Sequence, residues 1–410
     1  MKKYLKNIFL TVLVFLATGC TEDIPMVSLG VDEHYNIYRM QKLALHPALT
    51  GAEYRWTLRK GDGTTELLST SRDYIFLEKE EGVYNLNFEI IDPETPYSFD
   101  FTVNVVHEEI EYSPYITQVH EYCPAPGQFI NEMPRFEEGD TYQDILKKAT
   151  ENISGTNDEM ISLGGWGGYV TFGFDHTVVN VPGEYDFRIW GNAFYELINP
   201  EKKGGSAEPG IVMVSYDVNC NGLPDDPFYE LAGSEYHGEA TRHHCSLTYC
   251  RPDPDREIVE DEDNCIDDLY YIRKVYGDGT VGYMPKNTFH NQDYFPKWID
   301  ADSVTFSGTC LPSNAEDLSG TGTYFVLYAY PWGYVDNHPN DYSDLNSFDI
   351  SWAVDADGNP VSLPGVDFVR VYTGLDQYCG WIGETSTEIC RAQDLHIPAG
   401  PSLPDATPGR

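Results

Sequence analysis

Basic residues are scarce: 26 lysines and arginines stand against 66 aspartates and glutamates in 410 residues, a formal net charge of −40. A surface of that sign repels phosphate backbones and anionic head groups, so nucleic acid and the bilayer surface are poor partners. Long apolar runs are missing as well. The stretch from Ile8 to Ala17 is too short to span a bilayer. No G-x-S-x-G or H-E-x-x-H pattern occurs, which leaves a nucleophile or zinc hydrolase without its usual signature, and no repeat at solenoid spacing is present. Helix-compatible stretches are few, because prolines and glycines punctuate the chain throughout.

Aromatic residues, in contrast, make up 14% of the chain and include 30 tyrosines. Disordered chains are poor in aromatics, so this is a folded, acidic protein with rings to spare for flat ligands. Lys2, Lys3 and Lys6 precede the Ile8 to Ala17 run, and Ala17-Thr-Gly-Cys20 follows it. A charged start, a short apolar segment and small residues before a cysteine make a signal peptide. Cys20 resembles the lipidated cysteine of a bacterial lipobox, and Glu22-Asp23 resembles an acidic outer-membrane export tag. Eight cysteines remain after Cys20, an even number that reads as disulfides in an exported chain, with Cys379 and Cys390 placed to staple a hairpin and the connectivity open. His243-His-Cys245 followed by Cys250 fits no standard zinc spacing.

The organisation is all-β. From Ile24 to Val106 apolar residues alternate along short strands broken by Arg59-Lys-Gly-Asp-Gly63 and Asp92-Pro-Glu-Thr-Pro96, as in a small β-sandwich with Trp56 and Tyr84 inside. Residues 108 to 114 are an acidic connector. Thr141 to Glu151 is the one clear helix, with Thr141 as its N-cap. Tyr169 to Phe174, Phe187 to Trp190 and Ile211 to Tyr216 read as strands, as do Tyr324 to Tyr330, Phe348 to Val354 and Val366 to Tyr372. The domain plan is a signal peptide at 1–19, a β-sandwich at 20–107, a large β jelly roll at 108–398 with loop insertions around 235–300, and a tail at 399–410.

Asp217-Val-Asn-Cys-Asn-Gly-Leu-Pro-Asp-Asp226 places oxygen ligands at alternate positions and a glycine at the bend, the pattern a calcium loop requires. Asp217, Asn219, Asn221 and Asp225, with the Leu223 carbonyl, form the expected ligand set. Phe228 stands where an EF-hand places its bidentate acid, so Asp226 or Glu230 must supply that charge. Structural calcium is the cofactor expected here. An Asx-rich turn is the plain alternative.

Pro124-Ala-Pro-Gly-Gln-Phe129, Gly164-Gly-Trp-Gly-Gly168, Phe174-Asp-His176, Gly191-Asn192, the Asp217 to Glu230 run, Phe348 to Val354 and Asp367-Phe-Val-Arg370 together resemble a family of Bacteroidetes cell-surface lipoproteins. In that family a PKD-like domain, matched here by Tyr54-Arg-Trp56 and Gly82-Val-Tyr84, precedes a jelly roll similar to galactose-binding, discoidin-type domains. The resemblance implies lipid anchoring at the outer face of the outer membrane. It also implies work beside uptake systems, including those that pass corrinoids to a TonB-dependent transporter. The function expected is therefore capture of a corrinoid (vitamin B12). The alternatives are a calcium-dependent glycan-binding protein or an adhesin, and, further off, a glycan hydrolase. Trp298, Trp332, Tyr334 and Trp381 are the candidate ligand platforms, and His290 or His338 the candidates for reaching a cobalt ion.

Overall fold

The computed structural model describes residues 30 to 398, apart from 95, 110, 157, 158, 198 and 199. Cys20, the signal peptide and the C-terminal tail lie outside the described residues. Strands dominate, with a single α-helix among the described residues, so the chain is all-β and built from several sheets. No helix among those residues is long and apolar enough to cross a membrane.

The described residues form two compact units whose segments alternate along the chain. The first holds residues 30 to 34, Leu45–Tyr74 and Asn85–Phe101. Within it Glu53–Arg59 pairs antiparallel with Thr65–Ser69 on one side and with residues 85 to 91 on the other. Trp56 is wholly buried. Its indole lies 4.3 Å from Phe88 and 5.4 Å from Tyr74, and its N–H donates to the Ser71 carbonyl, so the polar edge of the ring is satisfied.

The second unit comprises Tyr35–Ala44, Ile75–Tyr84 and the chain from Thr102 onward. Here Tyr84 is half-buried, its ring edge-on to Phe76 and its hydroxyl donating to the Glu80 carbonyl. The unit's main sheet has six strands, ordered Ala353–Val354, Phe228–Leu231, Gly210–Ser215, Gly365–Thr373, Tyr169–Val179 and Gln118–Cys123. Alternation along Tyr169–Val179 sends Val170 and Phe172 to a core that also receives Ile145, Ala149 and Ile153 from the helix Tyr142–Ile153. Thr141 caps that helix in a reciprocal capping box with Asp144. On the opposite face Arg370 donates to Thr171 and Glu121 and lies over the Phe228 ring at 3.9 Å. That stacked arrangement lets a guanidinium stand where an apolar side chain would be expected.

The span around 235–300, expected to be loops, carries most of a four-stranded sheet ordered Val281–Asn287, Ile266–Tyr276, Arg242–Cys250 and Ser303–Cys310. Its charges are absorbed locally, as where Arg256 pairs with Asp268. The cysteines also depart from expectation: among the described residues Cys123, Cys220, Cys245, Cys250, Cys265, Cys310 and Cys379 are free thiols, so Cys379 staples no hairpin. The sheet register explains several of them. Cys123 stands opposite Tyr169, Cys250 opposite Arg273 and Ser303, Cys245 opposite Gly308 and Cys310 opposite Arg242. No cysteine in these ladders faces another.

Candidate functional site

The Asp217 loop leaves the sheet at the end of Gly210–Ser215 and closes on itself. Both Asp217 carboxylate oxygens accept backbone N–H groups, from Asn221 and from Gly222. The side-chain amides of Asn219 and Asn221 donate to Asp225, the Asn221 carbonyl oxygen accepts from Leu223 N–H, and the Leu223 carbonyl accepts from Asp225 N–H. Asp226 accepts from Val218 N–H. These are Asx-turn bonds, and Gly222 supplies the left-handed bend they need.

Glu230 is committed elsewhere. It lies on Phe228–Leu231, and its carboxylate accepts from the Thr309 hydroxyl at 2.7 Å and faces the Tyr372 hydroxyl. Burial pushes this carboxyl up to about 7. A folded-state value above the unfolded one means the native state binds more protons between the two, so the stability this group contributes falls as pH rises from about 4.5 through 7. Glu230→Gln is therefore expected to stabilise the protein by about 3 kcal/mol at pH 8 and by almost nothing at pH 4.5. Thermal unfolding of both proteins at the two pH values measures it, and equal differences at both would refute it.

The other predicted residues are dispersed. Trp298 is half-buried against the core, stacked on Tyr122 and Phe136. Tyr334 is interior, packed on Tyr330 with its hydroxyl accepting from Glu235 N–H. Trp332 is partly exposed and leans on Trp352. His338 is buried between Tyr195 and the Pro331 carbonyl. Of the four platform candidates, Trp381 opens onto a cleft of substantial size.

That cleft measures about 530 Å³ and is lined from loops that converge at one place. Trp381 is 49% exposed at its rim, near Phe289, with Phe194 and Tyr324 also exposed. The Trp381 indole N–H donates to the Thr323 carbonyl, while Gln128 fixes the loop behind it by donating to the Ile382 carbonyl at 2.7 Å. Gln128 N–H in turn donates to Glu384. The Pro-Ala-Pro-Gly-Gln segment thus sets the height of the indole above the floor. His290 also lines the cleft, edge-on to Phe129, and burial holds its imidazole below the ordinary histidine range.

The floor is acidic. Glu208, Glu384 and Glu388 line it. Outside that lining, Asp336 is wholly buried in a left-handed conformation, and its carboxylate accepts from the backbone N–H groups of Asn192, Ala193 and Glu388 at 2.7 to 2.9 Å. Gly191 is required there, since a Cβ would lie 2.3 Å from an Asp336 oxygen. Glu388 accepts from the Ser386 hydroxyl and the Asn192 amide, and Glu208 from Ser386 N–H. Burial pushes the Glu384 carboxyl up to about 8. Burial reinforced by mutual repulsion raises Glu208 and Glu388 as well. No lysine or arginine lines the cleft among the described residues. Of these residues the sequence pointed only to Gly191-Asn192. Glu208, Glu384 and Glu388 come from separate segments, and nothing local distinguishes them from the other acids.

No family model matches this chain, and no curated protein matches it. Among solved structures, a SusE-like protein aligns over 88% of this chain and 95% of its own at 8% identity, with a TM-score of 0.26. A carbohydrate-binding module from the β-sandwich superfamily aligns over 88% of this chain and 94% of its own at 12% identity, with a TM-score of 0.15. Superpositions this loose carry no weight for function, and the functional reading rests on the cleft.

Proposed function

We propose that the protein is a non-catalytic binding protein whose cleft takes a neutral, polyhydroxylated ligand, a glycan. The observation that carries this reading is Trp381, half-exposed above a floor of carboxylates and amides in a cleft without a cationic side chain. An aromatic face stacks on the apolar side of a sugar ring while carboxylates and amides accept its hydroxyls, and the volume lies in the range of small-ligand sites. Anionic ligands are disfavoured by the same floor. In this reading the chain is held on the outer membrane through Cys20 and passes its ligand to a TonB-dependent transporter.

Corrinoid capture is the second reading, favoured by one observation. His290 lines the same cleft with its pKa lowered, so at neutral pH it is the uncharged imidazole that binds metals.

Calorimetric titration of the full chain with a panel of neutral oligosaccharides, and with cyanocobalamin followed by its visible spectrum, separates the two. Saturable glycan binding without release of new reducing ends is expected. A spectral change with cyanocobalamin and no glycan binding would move the corrinoid reading to first place. Ligand turnover would overturn the non-catalytic assignment, and no binding to either class would overturn both.

A further inference from the structure

We propose that Glu208, Asp336 and Glu388, with Glu384 beside them, hold a hard divalent cation, calcium by ligand chemistry, at the floor of the cleft. One carboxylate oxygen from each of the first three lies within 4.8 Å of those of the other two. Oxygens that share a calcium ion at about 2.3–2.6 Å stand up to about 5 Å apart, so these three span one coordination sphere. All the donors are oxygen and none is sulfur or imidazole, which selects calcium or magnesium over zinc or copper.

Charge points the same way. None of the four carboxylates has an ion-pair partner among the described residues, although Asp336, Glu384 and Glu388 are almost wholly buried. The hydrogen bonds they accept come from neutral donors: backbone N–H groups, a serine hydroxyl and the Asn192 amide. Neutral donors orient carboxylates without cancelling their charge, as second-shell groups do around a metal.

The second, independent observation is Glu384. It is 3% exposed and lines the same cleft, yet its Oε2 has no hydrogen-bond partner among the described residues. A buried, unpartnered carboxylate oxygen is costly unless something positive meets it. Glu384 lines that cleft together with Glu208 and Glu388. The Asp217 loop differs from the cleft in that its acids are bonded to the loop's own amides and backbone N–H groups.

Cation binding is measured without any glycan, so its outcome is independent of the ligand reading above. The full chain, stripped with a chelator, is titrated with calcium by calorimetry, and its thermal midpoint is followed in parallel. Saturable binding and a raised midpoint are expected for the wild type. Affinity should fall at least about tenfold, roughly 1.4 kcal/mol, in both Glu208→Gln and Glu388→Gln. Asp217→Asn should bind as the wild type does. Glu208 is only partly buried, so its variant keeps the test open if Glu388→Gln fails to fold; circular dichroism reports which case holds. The proposal is overturned by no binding at about 10 mM calcium, well above the weakest extracellular calcium sites. Wild-type affinity in a folded Glu208→Gln protein, or loss of binding in Asp217→Asn, overturns it equally.

Discussion

Gly168→Ala is expected to destabilise the protein by more than about 3 kcal/mol, the largest effect of any methyl group that can be added to this chain's glycine motif. A Cβ at that position would lie 2.0 Å from the Leu163 carbonyl oxygen and 2.2 Å from Ala125 N. Those two atoms are themselves hydrogen-bonded, Ala125 N–H to Leu163 O at 3.0 Å. The methyl would therefore sit on a buried backbone bond, and both clashing atoms belong to the main chain, which cannot turn aside as a side chain would. The cost combines the strain of overpacking with the loss of that bond. Gly61→Ala, where nothing lies within 4 Å, is the control and should stay within about 0.5 kcal/mol of the wild type. Urea unfolding of the three proteins decides it. A Gly168→Ala midpoint indistinguishable from that of Gly61→Ala would show the Gly-Gly-Trp-Gly-Gly loop to be far more compliant than its contacts imply.

Trp381→Ala is expected to weaken glycan binding roughly ten- to a hundredfold while leaving the thermal midpoint in place. The separation of the two readouts follows from how the residue is held. Its loop is anchored through backbone groups, the Ile382 carbonyl to Gln128 and the Trp381 carbonyl to Asn287, whereas the indole contributes a single bond to Thr323. Removing a ring that is 49% exposed costs little packing but deletes the widest stacking face at the rim. Trp332→Ala, whose ring rests on Trp352 outside the cleft lining, should leave affinity unchanged. Affinity electrophoresis against the polysaccharide that binds the wild type measures both. Equal retardation of Trp381→Ala and wild type would remove the indole from the binding surface.

What the sequence made legible was whatever local patterning determines. The apolar runs Tyr169 to Phe174 and Val366 to Tyr372 pointed to the strands that span Tyr169–Val179 and Gly365–Thr373, because a strand buried along most of its length carries β-branched and aromatic residues almost continuously. The Thr141 cap was readable because its partner, Asp144, stands three residues away. The cleft was not readable in the same way. Its carboxylates arrive from residues 208, 336, 384 and 388 and gain meaning only from burial together, which no local window records. The Asp217 loop drew attention for the opposite reason, since its oxygens are dense in sequence. Tyr334 and Trp381 look alike as aromatics beside glycine; only the fold distinguishes the one under Gly233 from the one at the rim.

The order of the six-stranded sheet bears on how the chain reaches this state. Gly365–Thr373 lies between two strands made much earlier, with Val371 facing Val170 on one side and Val212 on the other. The loops that must close before those pairs can form span well over a hundred residues, and their entropy is lost before the contacts return it. A chain emerging N-terminus first would therefore hold Tyr169–Val179 and Gly210–Ser215 with an open edge each until Gly365–Thr373 had been delivered. Folding of the sheet should be slow and late, and nascent or truncated chains ending before residue 365 should be the aggregation-prone species.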